Sequence, residues 1–310
     1  FTVPIAQLHI KNDTKNAKYC YSGKVWRKQD FLSSRPSEYL QVGIECFGGS
    51  DIAKEDAKLF SIISNALGLI DLKIVTGDLA VLRSAINGLE INQRCKNALL
   101  RQLWRPKRFL HVLKYFSNSI HFIKNEKKEI IDLFNSGKLI EKINSYNSII
   151  GLRTKKDIIE RVSELSNDIV NNQLKDNDVK LLQNLLKISC SLVDAPKNIK
   201  KLTYSHDYLK KAAVLLENRL DNLSELGINV KQIDFEVSFG RTSMEYYDGF
   251  VFEMGPKKQI NSIPFAQGGR YNELTRILSK LQGYHKSTNS VGGIIRPEIL
   301  LNFKLNQGVK

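Results

Sequence analysis

Apolar and polar positions change rhythm several times along this chain. Up to about residue 50 the apolar residues fall in short blocks, Val3 to Ile10 and Tyr39 to Phe47, with a Ser/Arg/Pro segment around Ser33–Pro36 between strand-like stretches. Short runs of this kind predict strands, and an antiparallel hairpin with a long loop is the simplest arrangement. From Asp51 the period becomes helical: Ala53, Ala57, Phe60, Ile63 and Leu67 share one face behind an Asp cap, and Gly68 stands at the C-terminal end. A short strand, Leu72–Thr76, follows. Asp78 then opens a second amphipathic helix to about Leu89, with Leu79, Leu82, Ala85 and Ile86 as its buried stripe.

Residues from about Ile91 to Leu226 favour helix almost throughout, with apolar residues at three- and four-residue spacing. From Val230 strands return in VKQIDFEVSFG, YYDGFVFEM and SIPFAQGG, then a helix from Tyr271 to about Leu281, and last a strand–helix unit in SVGGIIRPEILL. Strands, then helices, then strands again predict an α+β fold whose antiparallel sheet is interrupted in sequence by a helical region. The expected division is a sheet domain from 1–90 and 227–310 and a helical region, 91–226, that includes an inserted subdomain.

Composition narrows the picture. With 310 residues, 42% of them hydrophobic, the chain can bury a substantial core. No apolar run is long enough to span a bilayer, and the first residues lack the layout of a secretion signal, so a cytoplasmic location and no membrane partner are expected. Cys20, Cys46, Cys95 and Cys190 show no C-x-x-C spacing, and the five histidines form no ligand motif, so neither a disulfide framework nor a metal or other cofactor is expected. The net charge of +15 comes from lysines scattered along the chain, which reads as compositional bias more than as a nucleic-acid surface. It is also suited to attracting an acidic partner or a polyphosphate.

Three segments are similar to histidyl-tRNA synthetase. VWRKQDFLSSRPSEYLQVGIECFG resembles its class II motif 2 hairpin, with Arg27 at the motif arginine, Arg35 in the loop, and Gln41 and Glu45 on the returning strand. MEYYDGFVFE resembles the histidine-specific signature, which implies that Tyr247 faces the amino acid. QGGRYNEL resembles the companion glycine-rich signature and places Tyr271 beside the pocket. FTVPIAQ looks like the segment whose threonine, here Thr2, contacts histidine. The resemblance therefore implies a class II aminoacyl-tRNA synthetase-like antiparallel sheet flanked by helices, across roughly 1–89 and 229–300. Residue chemistry agrees. Gln41 and Glu45 are four apart on a strand and so share a face, where an amide and a carboxylate can hold an α-ammonium group. Tyr247 and Tyr271 offer ring surface and hydroxyls, and Gly268 and Gly269 are expected to let backbone approach a ligand.

Other positions depart from the synthetase pattern. SVGGIIRPEILL aligns on motif 3, yet the expected arginine falls at Ile299, and the acidic residue two after Arg27 is Gln29. The arginine that precedes the histidine signature falls at Thr242, with Arg241 displaced by one. An alkyl chain at Ile299 cannot supply the charge that ATP activation needs. The resemblance puts motif 1, and with it the dimer contacts, before Phe1, and the anticodon-binding domain that follows motif 3 in true synthetases is expected to be absent. A kept histidine pocket with lost ATP chemistry resembles the regulatory-subunit family of ATP phosphoribosyltransferase, with TGDLAVLRSAINGL similar to its alphaproteobacterial branch. That family implies a short-form catalytic partner, a self-dimer, histidine as feedback effector and no catalysis of the chain's own. Two other classes stay open: a divergent synthetase or amino-acid-activating paralogue using Arg27 and Arg241 on ATP, and an RNA-binding module acting through the basic helical region.

Overall fold

A computed structural model describes residues 1–29, 36–68, 71–117, 125–146, 153–171, 174–203, 207–241, 246–257 and 263–306. Arg35 and Thr242, singled out above, lie outside the described residues.

The described residues form two compact units, Phe1–Gly88 with Asn184–Lys310, and Leu89–Gln183. In chain order the first unit begins with α1 (Thr2–Asn12), β1 (Ala17–Trp26), β2 (Glu38–Phe47), α2 (Ile52–Leu67), β3 (Leu72–Asp78) and α3 (Leu79–Gly88). The second unit holds α4 (Gln93–Arg101), α5 (Pro106–Ser117), α6 (Asn125–Asn135), α7 (Leu139–Asn144), α8 (Lys155–Asn171) and most of α9 (Asp176–Leu186). The first unit then resumes with β4 (Ser189–Ser191), α10 (Ala195–Thr203), α11 (Lys210–Glu225), β5 (Ile233–Glu236), β6 (Phe250–Pro256), β7 (Ala266–Arg270), α12 (Asn272–Leu281), β8 (Ser290–Ile295) and α13 (Pro297–Asn306).

Eight strands make one sheet in the order β1-β2-β8-β7-β6-β3-β5-β4. All neighbours are antiparallel except β3 and β5, which run parallel with Ile74 opposite Ile233. The antiparallel expectation fails only at this pair. A long crossover separates its two strands in sequence, and such a connection lets strands run the same way. In β2 and β8 the register sets Glu45 opposite Gly292 and Gly43 opposite Ile294. A Cβ on Gly292 would overlap the Glu45 carboxylate, whereas one on Gly293 would press on Ile63 of α2. The pocket and α2 therefore lie on opposite faces of the sheet. Helix α2 packs on β6, β7 and β8 and carries α11 on its other side, while α1 and α12 pack together and against β2 and β8.

Two expectations need correction. Val3 to Ile10 lies in a helix, not a strand. Its buried positions, Ala6, His9 and Ile10, have helical spacing, and Pro4 falls in the first turn, where a missing N–H is harmless. Helix α1 stops where Asp13 takes a left-handed backbone, φ 51°. Residues 184–226, assigned above to the helical region, are part of the sheet unit: β4 pairs with β5, and α11 packs on α2. Other readings hold. The Asp51 side chain accepts from the Lys54 N–H to start α2, Gly68 ends it at φ 79°, and Leu79, Leu82, Ala85 and Ile86 are buried in α3.

Candidate functional site

The pocket face of β2 carries Tyr39, Gln41, Gly43, Glu45 and Phe47, because side chains alternate along a strand. Glu45 is 1% exposed and ends against three hydroxyl groups. Thr2 Oγ1 of α1 donates to its Oε1 at 2.7 Å, the Tyr271 hydroxyl donates to its Oε2 at 2.5 Å, and the Tyr21 hydroxyl of β1 lies at 3.5 Å from Oε1. Gln41 Nε2 in turn donates to the Tyr21 hydroxyl at 3.1 Å. Burial pushes the Glu45 carboxyl above the usual carboxylate range, and the hydroxyl donors oppose that shift. Burial also holds the Tyr271 and Tyr247 phenols far above their ordinary value. The site is therefore one buried carboxyl group facing three hydroxyl donors.

Thr2 and Gln41 also line a cavity of about 510 Å³, with Arg27, Gln29, Tyr246, Arg296 and Ile299 among its other walls; Glu45 and Tyr271 are not among its described lining residues. Thr2, Gln41, Glu45 and Tyr271 thus come together as the sequence led one to expect. Arg27 is among the residues lining the cavity. Tyr247 stands one layer deeper, where its hydroxyl accepts from that of Tyr246 at 3.0 Å, and its ring lies 6.3 Å from that of Tyr271. Arg241 is buried, its guanidinium held below its ordinary pKa by burial, and it is not among the described residues lining the cavity. Gly268 and Gly269 serve a packing need. A Cβ on the first would strike the Gly292 carbonyl and Phe252, and one on the second the Phe250 carbonyl and Tyr247, so the close approach there is made by the chain's own strands.

Several contributors escaped the sequence reading. Tyr21 and Gly292 form part of the carboxylate's cage, and Gly43 leaves room for the Tyr21 ring. Arg296 lines the cavity and donates to the Pro264 carbonyl at 2.9 Å. The glycine pair in SVGGII was a visible signal for one of these. The alternation of Tyr19, Tyr21 and Gly23 along β1 was another.

Sheet and pocket define the class: this is a class II aminoacyl-tRNA synthetase-like fold of the histidyl-tRNA synthetase type, and residues 2–109 match the histidyl-tRNA synthetase family model. Among its curated homologues is the ATP phosphoribosyltransferase regulatory subunit of Brucella anthropi, 27% identical over 292 residues that cover 90% of this chain and 76% of the relative. Two solved structures share the fold. One, described as an ATP phosphoribosyltransferase regulatory subunit/histidyl-tRNA synthetase from Bacillus halodurans, has a TM-score of 0.59 at 20% identity, covering 96% of this chain and 62% of that one. The other, a histidyl-tRNA synthetase from Nostoc, has a TM-score of 0.58 at 17% identity, covering 99% and 58%. The chain thus spans less than two thirds of the length of both. No helix among the described residues is long and apolar enough to cross a membrane.

Proposed function

We propose that this chain is a non-catalytic regulatory subunit of ATP phosphoribosyltransferase. It assembles with a short-form catalytic subunit, itself self-associates as a dimer, and transmits feedback by histidine on the first step of histidine biosynthesis. Histidine binds where the cavity meets the Glu45 group, with Thr2, Gln41 and Tyr271 beside its ammonium, Tyr247 backing Tyr271 from the deeper layer, Gly268 and Gly269 letting the strands beneath close up, and Arg27 toward its carboxylate, with Arg241 buried behind. One observation carries the reading. Glu45 is a buried carboxylate whose hydrogen-bond donors, among the described residues, are all hydroxyls. An α-ammonium group donates to such a carboxylate with a charge-assisted bond, and bonds of that kind are the strong ones. Ile299 in the same cavity supports the absence of adenylate chemistry, because an alkyl group stands where class II enzymes place a cation.

The test is co-purification with a short-form ATP phosphoribosyltransferase, followed by an assay of phosphoribosyl transfer to ATP with and without histidine. Activation by this chain, and loss of activity on adding histidine, is the expected result. No association, or activity indifferent to histidine, overturns the proposal. The presence of Arg27 and Arg296 in the cavity keeps a second reading in view, an amino-acid-activating paralogue. Histidine-dependent exchange of pyrophosphate into ATP distinguishes it.

A further inference from the structure

We propose that Arg219 and Asp56, neither of which lines the pocket, are positioning residues for it, so that α11 on the back of the sheet sets the geometry of Glu45 on the front. The inference rests on the histidine pocket proposed above and extends it to how that pocket is held and sensed.

Four buried ions from four elements meet behind the sheet. Arg219 of α11 donates through Nε to Asp56 Oδ2 of α2 at 3.0 Å and through Nη1 to Asp78 Oδ2 at the end of β3 at 2.8 Å. Its guanidinium lies over the Phe250 ring, 4.6 Å from the centroid. The other oxygen of Asp56 accepts from Arg270 Nε of β7 at 2.8 Å. Asp78 accepts in addition from the Ala80 N–H, the first turn of α3. Two arginines and two aspartates balance in charge, and none of the four is more than 5% exposed.

Tyr271 follows Arg270 in the chain. The Arg270 guanidinium also donates to Asn272 Oδ1 at 3.2 Å, and that oxygen accepts from the Ser290 N–H at 2.7 Å. The Tyr271 N–H itself donates to the Ser290 carbonyl at 2.9 Å. The residues on both sides of Tyr271 are thus held by one guanidinium, and the backbone between them has little freedom. Its hydroxyl then reaches through to Glu45. An unbroken line of directional contacts runs from Arg219 to Asp56, to Arg270, along one peptide to Tyr271, and to the carboxylate.

A buried ionic group of this kind is a poor way to add stability, since apolar side chains of equal volume often do as well. It fixes angles and distances instead. Asp56 serves both arginines, one on each oxygen, so any shift of α11 that draws on its Arg219 bond also disturbs the bond that holds Arg270. Conversely, an ammonium group arriving at Glu45 shares the oxygen that Tyr271 holds, and any movement of Tyr271 is felt at Arg270.

The test is a double-mutant cycle on the whole protein read by histidine calorimetry, with wild type, Arg219→Lys, Tyr271→Phe and the double variant. Lysine keeps the charge and loses the fork that spans two carboxylates. The expected result is that Arg219→Lys weakens histidine binding about tenfold while remaining folded, and that the same change in the Tyr271→Phe background costs less than about twofold, because the two residues act as one unit. Asp78→Asn, which loosens Arg219 and leaves Asp56 intact, should act in the same direction if the lysine variant fails to fold. A ligand-free arm uses protein with ring-labelled tyrosine: the Tyr271 Cζ resonance should move in Arg219→Lys before any histidine is added. Unchanged affinity, additive losses in the cycle, or an unmoved resonance overturns the proposal. Failure of wild type to bind histidine defeats the pocket reading instead, and the resonance then decides the positioning role by itself.

Discussion

Glu45 answers two opposed demands, and substitutions there should separate them. As the proposed acceptor for a ligand ammonium it would make a charge-assisted bond, so Glu45→Ala is expected to weaken histidine binding by roughly ten- to more than a hundredfold, about 1.5–3 kcal/mol. Gln41→Ala and Tyr271→Phe remove neutral hydrogen bonds and should cost about 0.5–1.5 kcal/mol each. Calorimetric titration of the three variants checks the ranking, and equal losses in all three would place the ammonium elsewhere. In the unliganded protein the same carboxylate is a burden. Burial raises its pKa, so the folded state favours the protonated form. Glu45 therefore contributes stability that is full below its unfolded value, near 4.3, and is lost as pH rises through its higher folded value. Glu45→Gln, which keeps the shape and an acceptor for the hydroxyls, should raise the melting temperature of unliganded protein at pH 7 by a few degrees while abolishing tight histidine binding. A lower melting temperature in that variant would mean that the carboxylate is stabilised by something besides the three hydroxyls.

Helix α1 shows how one element brings the pocket its roof and what holds that element down. Its inner face places His9 flat on Phe47, with ring centroids 4.2 Å apart, while His9 Nδ1 lies 3.4 Å from the Tyr19 hydroxyl and 3.3 Å from Thr14 Oγ1. Burial lowers the pKa of His9, so folding favours the neutral ring. The stability it contributes is present above its unfolded value of about 6.5 and is lost as pH falls through the lower folded value. His9→Gln should flatten the stability profile as pH falls below about 6.5 relative to wild type, as read by urea unfolding at each pH. A profile unchanged by the substitution would assign that pH dependence to other groups. This element was also the one the sequence hid. A run such as VPIAQLHI satisfies strand and helix patterns alike, and the buried polar member of its helical stripe, His9, weakened the helical signal. By contrast α2 and α3 could be read almost to the residue, because an Asp cap, a long apolar stripe and a C-terminal glycine agreed. The front of the pocket was readable through Gln41 and Glu45, whose spacing fixes their face. The ionic group behind it was not, because Asp56, Asp78, Arg219 and Arg270 are far apart in sequence and each resembles an ordinary surface charge until the sheet brings them together. The three-residue strand β4 was too short to leave a pattern.

At the scale of the whole molecule, sensing and assembly should be separable. The Glu45→Ala variant is expected to join the catalytic subunit and activate it, yet to stay active at histidine concentrations that silence the wild-type complex. Inhibition curves on the two reconstituted complexes provide the comparison, and a variant that fails to assemble would tie the pocket to the interface. The register of β2 against β8 carries a different consequence. Glu45 lies opposite Gly292, so the second strand finds its inner neighbour only in a strand far along the chain. Loops of that length close slowly, and proteins dominated by such distant pairings fold in milliseconds to seconds or longer. During synthesis the β1–β2 hairpin must wait with one edge open until β8 has been made. The proposed histidine pocket is then among the last features to form, and histidine added during refolding should slow unfolding while leaving the folding rate as it was.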